Sequence, residues 1–198
     1  MRANGHDEAD LLSKAMRGDL LAFEEMVRRY QRRVYAVALR IVRRHDVADD
    51  VTQDTFLRAH QALHGFDLSR PFGPWVCRIA ANLAVNHVRS PVAREEGLPE
   101  AHAETTAATG NPLERALDRE AVTQLQAAMD SLSADQRAVF VLRAVEGLSY
   151  KEIAEALSIS TGTVMSRLFR ARERLLERLR PYLGEAAAHL PRKAGAEP

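Results

Sequence analysis

The chain of 198 residues carries 28 Lys and Arg side chains against 27 Asp and Glu, and 46% of its residues are hydrophobic, which is typical of a globular protein with a buried core. Sparse Gly (10) and Pro (8) and only 6% aromatic residues disfavour a β-rich or largely disordered chain, so we expect an all-helical protein. The single cysteine, Cys77, excludes an internal disulfide, and no signal peptide or membrane-spanning run is present, so we expect a cytoplasmic location without direct membrane insertion.

Three amphipathic helices are predicted in the first 90 residues. The first has an apolar residue at every third or fourth position from Phe23 to Ile41. The second is predicted to start after Asp46, which can cap it, and to bury a stripe of Val47, Val51, Thr55 and Ala59. The third is predicted from Trp75 to Arg89, after two prolines, with Trp75, Ile79 and Leu83 buried.

Two of these helices have a polar face opposite the predicted core. On the second helix, this face contains Asp50, Gln53 and Asp54. On the third helix, polar side chains recur at intervals of 4, 4 and 3 residues, which predicts a single stripe of Arg78, Asn82, Asn86 and Arg89. Both faces are candidate binding surfaces, although a solvated polar face is the simpler interpretation of such a pattern.

A change of composition divides the chain into two parts. Residues 91–112 contain four Glu and one Arg, are rich in Pro, Gly, Ala and Thr, and have no aromatic residue, which predicts an acidic flexible linker. We therefore expect two small helical domains, residues 8–90 and 113–183, followed by a disordered tail over residues 184–198.

The second domain has the pattern of a helix-turn-helix. Ser133 with Gln136, and Ser149 with Glu152, have the spacing of capping boxes, and the second box opens a short helix, YKEIAEAL. A three-residue turn separates this helix from a longer one that begins at Thr161 and has six Arg and two Glu in its first twenty residues. Because an α-helix fits the major groove, these features together favour DNA binding over a merely solvated basic surface.

The groove-facing residues follow from the core pattern of this last helix. Val164, Leu168 and Ala171 are predicted to be buried, with Leu175 and Leu179. The positions that remain can donate to guanine edges and phosphates or contact a thymine methyl group, and they are Ser166, Arg167, Phe169, Arg170 and Arg174.

The order of three segments, DVTQDTFLRAH, FGPWVCRIAANLAVNHVR and LSADQRAVFVLRAVEGLSYKEIAEALSISTGTVMSRLFRARERL, resembles bacterial RNA polymerase sigma factors, and in particular the extracytoplasmic-function (ECF) class. The resemblance covers about residues 8–183 and implies an alternative-type sigma factor that binds core RNA polymerase and directs promoter recognition and transcription initiation. The text GLSYKEIAEALSIS is also similar to LuxR-type regulators, so a helix-turn-helix regulator that acts without core polymerase is the alternative.

The resemblance assigns roles to the candidate residues. It implies that Asp50, Gln53 and Asp54 contact the clamp helices of the largest polymerase subunit, while the flap of the second-largest subunit receives the second domain. Residues of the third predicted helix would bind the unpaired non-template strand of the minus-ten promoter element. Asn82 and Asn86 would hold a flipped base, and Arg78 and Arg89 would contact phosphates. Contacts with the minus-thirty-five element would come from Thr163, Ser166, Arg167, Phe169, Arg170 and Arg174.

Other implications concern partners and chemistry. The resemblance implies an anti-sigma factor as a regulatory partner and a linker that extends towards the polymerase active cleft, although a passive spacer is an equal alternative. Trp75 could stack on unpaired DNA, but its apolar neighbours favour a packing role. No nucleophile motif, phosphate-binding loop or complete metal-ligand set occurs, and His60 with His64 is an isolated pair, so we predict no enzyme activity and no cofactor.

Overall fold

The computed structural model describes residues 3–90 and 112–183, and its regular elements there are all helices. The first domain contains α1 (Ala3–Met16), α2 (Leu20–Val42), α3 (His45–Ala62), a short 3-10 turn (Leu63–Gly65) and α4 (Phe72–Arg89). The second contains α5 (Pro112–Asp130), α6 (Ala134–Ala144), α7 (Tyr150–Leu157) and α8 (Thr161–Leu183). The predicted all-helical class is confirmed. The predicted tail, and the predicted linker apart from its last residue, lie outside the described residues.

Helix α2 is the centre of the first domain and packs against α1, α3 and α4. Asp19 caps its start, because a carboxylate oxygen accepts from the backbone N–H groups of Leu21 (3.0 Å) and Ala22 (3.1 Å). Val34, Val37 and Ile41 are fully buried, as predicted, and burial of each such side chain stabilises the fold by roughly 1.5–3 kcal/mol. Helix α1, which the sequence analysis did not predict, lies against α2, and its Glu8 accepts a hydrogen bond from the hydroxyl of Tyr30 (2.8 Å).

The predicted start of α3 was wrong by two residues, because the helix begins at His45 and not after Asp46. Arg44 occupies the N-cap position without a side-chain cap, and Asp46 lies in the first turn. The Asp46 carboxylate is paired with Arg44 at 2.5 Å, and this contact together with the backbone N–H of Val47 lowers the pKa of Asp46 to about 2. The predicted buried stripe of Val47, Val51, Thr55 and Ala59 is confirmed.

The buried face of α4 differs from the predicted one. The helix begins at Phe72, before Pro74, and its fully buried residues are mostly small: Phe72, Gly73, Val76, Cys77, Ala80, Ala81, Ala84 and Val85. Trp75, Ile79 and Leu83 are only half-buried. Small side chains allow α2 and α3 to approach α4 closely, so the helix is rotated towards them and its larger apolar residues lie at the edge of the core.

The second domain forms the predicted helix-turn-helix. Both capping boxes are present, with Gln136 N–H donating to Ser133 Oγ and Glu152 N–H donating to Ser149 Oγ, each at 3.3 Å. Helix α8 packs against α5, α6 and α7 through Val164, Leu168, Ala171 and Leu175, which are all buried. The two domains also touch each other, because α6 packs against α2 and α4, and α7 packs against α4.

Candidate nucleic-acid interface

The turn between α7 and α8 is held by hydroxyl and backbone hydrogen bonds. Ser158 has a left-handed backbone (φ 52°), and the N–H of Ile159 donates to the carbonyl of Ala154 at 3.0 Å. Ser160 Oγ then accepts from the N–H of Thr163 at 3.1 Å, and the Ser160 and Thr163 hydroxyls lie 2.9 Å apart. The turn therefore fixes the orientation of α8, and the half-buried Thr163 is already engaged within it.

Most of the predicted groove-facing residues of α8 are exposed. Ser166, Phe169, Arg170 and Arg174 all face solvent, and the ring of Phe169 is 51% exposed. Ser166, Arg170 and Arg174 follow one another at intervals of four residues and so lie on one face. An exposed aromatic ring beside an exposed guanidinium offers an apolar contact and a hydrogen-bond donor within one turn, which suits a base edge with a neighbouring thymine methyl group.

Met165 also belongs to this exposed surface, although it was not among the predicted site residues. It is 49% exposed and lies one turn before Phe169 on α8. The spacing of four residues was visible in the sequence, but methionine has no donor that would have indicated a DNA contact.

Arg167 differs from its neighbours because it is turned towards α6. Its Nη2 lies 3.0 Å from Oδ2 of Asp135, and its side chain is only 22% exposed. Its Nη1 is buried and has no hydrogen-bond partner among the described residues. In this arrangement the guanidinium of Arg167 is bound to a carboxylate of its own domain.

The predicted polar stripe of α4 is present but partly covered. Arg78 and Asn82 are half-buried, whereas Asn86 and Arg89 are exposed. Asn86 Nδ2 donates to Asn82 Oδ1 at 3.2 Å, so the two amides are adjacent on the surface. Arg89 Nη2 lies 2.5 Å from Oδ1 of Asp135, a residue of the second domain.

Trp75 stands between the stripe and the aromatic core. Its ring centroid is 4.8 Å from that of Phe66 and 5.4 Å from that of Phe72. A cleft of about 220 Å³ lies beside it, between α4 and α7, and is lined by Trp75, Arg78, Ile79, Asn82, Glu155 and Ala156. The ring therefore packs against Phe66 and Phe72 on one side, but it is only half-buried and its other side lines the cleft.

A third candidate surface lies on α3. Asp50, Gln53 and Asp54 are exposed, as predicted, and Leu57 continues the same face with 63% of its surface exposed. The four positions have the i, i+3, i+4, i+7 spacing of one helix face. Leu57 was not predicted as part of this face, because an apolar side chain has no donor or acceptor that would indicate a binding site.

Cys77 and the histidines in the part of the chain that the structure describes add no further site. Cys77 is buried, and burial, with the nearby Glu146 carboxylate, raises the pKa of its thiol. His60 lies against the ring of Phe23, with centroids 4.8 Å apart. Within residues 3–90 and 112–183, no group of three or more potential metal ligands is found. None of the described helices combines the length and the apolar content needed to span a membrane.

Comparison with known proteins assigns the chain to a family. Residues 26–93 match the family model "Sigma-70 region 2", and residues 123–175 match "Sigma-70, region 4". The chain belongs to the ECF RNA polymerase sigma factors. It therefore acts with RNA polymerase in promoter recognition and transcription initiation, as a DNA-recognition subunit and not as an enzyme. The alternative of a LuxR-like regulator fails, because the match to region 2 covers the first domain.

Individual relatives agree with this assignment. The RNA polymerase sigma-H factor of Pseudomonas aeruginosa is 35% identical over 90% of this chain and 97% of the relative. The ECF sigma-E factor of Salmonella typhimurium is 34% identical over 87% of this chain and 94% of the relative. The ECF sigma factor SigE of Mycolicibacterium smegmatis is 37% identical over 84% of this chain, which spans 65% of that relative.

Two solved structures share the fold. The sigma factor RpoE of Bartonella quintana, in complex with the anti-sigma factor NepR, has 27% sequence identity and a TM-score of 0.62, covering 80% of this chain and 96% of that chain. CnrH, in complex with the cytosolic domain of CnrY, has 30% sequence identity and a TM-score of 0.57. The match covers 88% of this chain and 97% of the CnrH chain.

Proposed function

We propose that the two domains divide promoter recognition between them. Residues 8–90 bind core polymerase and the minus-ten element, and residues 113–183 bind the minus-thirty-five element. The observation that carries this division is the pair of matches in chain order, region 2 on the first domain and region 4 on the helix-turn-helix. Residues 91–112 connect the two domains in the sequence, and we propose that this linker runs towards the polymerase active cleft in the complex.

The core-binding surface is the exposed face of α3. Asp50, Gln53 and Asp54 meet the clamp helices of the largest polymerase subunit, and Leu57 adds an apolar contact at the end of the face. A few exposed apolar residues beside charged ones are typical of an interface in which charge sets orientation and apolar burial adds affinity. The flap of the second-largest subunit receives the second domain.

The minus-ten element is bound by α4. Asn82 and Asn86 hold an extruded base of the non-template strand, because each amide offers a donor and an acceptor to an unpaired Watson–Crick edge. Arg78 and Arg89 contact phosphates of the same strand. The adjacency of the two amides, at 3.2 Å, supports their action as a pair.

The minus-thirty-five element is bound by the exposed face of α8. Arg170, with Ser166 and Phe169 beside it, meets base edges in the major groove, whereas Arg167, Arg174 and Thr163 contact the flanking phosphates. Support comes from the exposure of Ser166, Phe169, Arg170 and Arg174 on a helix whose opposite side is buried.

An anti-sigma factor regulates the protein, which acts in the cytoplasm. The support is that RpoE of Bartonella quintana, which shares this fold, was solved in complex with an anti-sigma factor. The full proposal is tested by run-off transcription with purified core enzyme on a library of genomic fragments. We expect discrete transcripts that require the protein. Transcription that does not depend on the protein would overturn the proposal.

A further inference from the structure

Two apolar side chains lie together on the exposed face of α8. Met165 is 49% exposed and Phe169 is 51% exposed, and the spacing of four residues places them one turn apart on the same face. We call these two side chains the apolar pair. Single exposed apolar residues are common on protein surfaces, but two neighbouring ones on the outer face of a helix form a surface that a ligand can cover.

The neighbours of the apolar pair indicate which ligand covers it. Arg170 and Arg174 are exposed on the adjacent part of the same helix, and such cations attract the phosphates of a duplex without reading its sequence. Met165 and Phe169 are the fifth and ninth residues of α8, and the N-terminal part of a recognition helix is the part that reaches base edges. The pair is therefore continuous with the proposed minus-thirty-five contact, and promoter DNA is its occupant.

The hydroxyl groups beside the pair are engaged within the protein. Ser166 Oγ donates to the backbone carbonyl of Thr163 at 3.0 Å, and the Thr163 hydroxyl lies 2.9 Å from Ser160 Oγ. A hydroxyl has one proton, so Ser166 in this arrangement can only accept a hydrogen bond from a base. Among the predicted base-contacting residues, Arg170 therefore supplies the hydrogen-bond donors, and the remaining contact surface is apolar.

The first turn of α8 is open towards the duplex. Gly162 is exposed and lies one turn before Met165 and Ser166. Among the described residues, a Cβ at this position would meet only Ser160 Oγ, at the ordinary contact distance of 3.8 Å, so the fold does not require a glycine here. Glycine is disfavoured relative to alanine in a helix, but it allows a close approach of the backbone to a ligand.

The major groove offers one apolar feature to such a surface, which is the C5 methyl group of thymine. At a rise of about 1.5 Å per residue, Met165 and Phe169 are offset by about 6 Å along α8. Base pairs follow one another at about 3.4 Å. The two side chains can therefore cover the methyl groups of thymines that lie one or two base pairs apart, and the flexible, unbranched methionine can adapt to either spacing.

We propose that Met165 and Phe169 determine specificity in the minus-thirty-five element by covering the C5 methyl groups of two thymines. This inference rests on the proposed function and adds Met165 as a specificity-determining residue. Burial of one methyl group corresponds to a factor of about threefold to fivefold in affinity. Removal of both methyl groups should therefore weaken binding about tenfold to twentyfold.

The positions of the two thymines are found by transcription. Core enzyme with the full-length protein transcribes a promoter library randomised over the upstream element, and the transcripts are sequenced. We expect a preference for thymine at two positions, one or two base pairs apart. Met165→Ala should lose this preference at one position and Phe169→Ala at the other. Leu125→Ala, which removes an exposed apolar side chain from α5, is the control and should keep both.

Uracil then tests the methyl group itself, because it pairs as thymine does but lacks the C5 methyl. Each of the two thymines is replaced by uracil in a promoter fragment selected from the library, and competition binding measures its affinity for the complex of the protein with core enzyme. The parent protein should lose about threefold to fivefold per replacement. Met165→Ala should become insensitive to one replacement, and Met165→Leu, which keeps an apolar side chain of similar volume, should restore the sensitivity.

The comparison of variants separates a direct contact from an effect of uracil on DNA shape, because a change of shape would act on the parent protein and on Met165→Ala alike. Equal affinity of the parent protein for the thymine and uracil promoters would overturn the proposal, and so would full sensitivity to both replacements in a folded Met165→Ala variant. Transcription that still depends on the upstream element would then leave the proposed function intact. Transcription that ignores the sequence of that element would overturn the function proposed for α8 and this inference with it.

Discussion

The guanidinium of Arg137 donates to the backbone carbonyl of Ile41, 3.0 Å away, and so joins α6 of the second domain to the end of α2 in the first. Its other terminal nitrogen donates to the carbonyl of Leu132 at 3.1 Å. Burial, with the nearby charge of Arg43, lowers the pKa of Arg137 to about 10, so the side chain remains charged at neutral pH. One buried cation thus satisfies carbonyl groups at two helix ends.

Replacement of Arg137 by Met should therefore destabilise the protein. The change leaves two carbonyl groups without their donor, at a cost of about 1–3 kcal/mol each when they stay buried. Urea unfolding followed by circular dichroism measures the loss. Arg178→Met, at an exposed position of α8, is the control and should change the free energy of unfolding by less than about 0.5 kcal/mol. Equal stability of the two variants would contradict the role given to Arg137.

Charge reversal on α3 should weaken the binding of core polymerase. In Asp50→Lys/Asp54→Lys, both acidic groups of the exposed face change sign, and we expect affinity for core to fall about tenfold or more. Fluorescence anisotropy of the labelled protein measures this. Asp10→Lys/Glu24→Lys makes the same change of net charge on the exposed surfaces of α1 and α2 and should bind core normally. Normal affinity in a folded α3 variant would remove this helix from the interface.

Loss of an amide on α4 should affect promoter opening more than closed-complex formation. Asn82→Ala or Asn86→Ala removes hydrogen bonds to an extruded base, and a loss of about 1 kcal/mol lowers the open population about fivefold. Permanganate footprinting reports the unpaired thymines. Gln31→Ala, an exposed amide on α2, is the control and should open promoters normally. Unchanged opening in both Asn variants would show that these amides serve only the helix surface.

The arginines of α8 should separate base recognition from phosphate binding. Arg170→Ala should cost about 1–3 kcal/mol and relax preference at one or two positions of the upstream element. Arg174→Ala should weaken binding to all sequences and reduce the salt slope by about one unit. Transcription from a library randomised over that element compares the two. If Arg174→Ala altered the preferred bases and Arg170→Ala did not, α8 would be rotated in the groove.

The second capping box should give the helix-turn-helix an acid-sensitive contribution to stability. Hydrogen bonds from the backbone N–H and the hydroxyl of Ser149 lower the pKa of Glu152 below its usual 4.5. The folded state therefore favours the ionised form, and the stabilisation is complete above about pH 4.5 and is lost as the pH falls further. Ser149→Ala should lower the free energy of unfolding by about 1 kcal/mol at neutral pH. In urea titrations between pH 3 and 7, the variant should also lose less stability at acid pH than the parent protein does. The backbone N–H of Ser149 remains in this variant, so an unchanged pH profile would show that the Ser149 hydroxyl contributes no proton linkage.

Local signals in the sequence predicted the second domain well. The two Ser-x-x-Gln/Glu boxes and the three-residue turn are contained within a few residues of chain, and α7 has the bounds that were predicted, Tyr150–Leu157. Four of the five predicted core residues of α8 are buried for the same reason, because helical spacing alone decides which side faces its own domain, and the fifth, Leu179, is half-buried.

The orientation of α4 and the contact between the domains could not be predicted in this way. A ranking by hydrophobicity selects Trp75 and Ile79 for the core, whereas close helix packing buries the small residues Ala80, Ala81 and Ala84 instead. Arg33 and Glu146 are 113 positions apart, and nothing in their local sequence indicates that they meet. Arg89 and Arg167 were predicted as DNA contacts by position on their helices, which gives no information about a shared carboxylate.

The buried and exposed sides of α4 differ in which substitutions they tolerate. Ala80, Ala81 and Ala84 are fully buried, so a larger side chain there would push α2 or α3 away and change the shape of the whole first domain. Asn86 and Arg89 stand on the opposite, exposed side, where exchange alters chemistry without moving a helix. A search for new promoter preferences can therefore randomise the exposed positions of this helix while the buried alanines are kept.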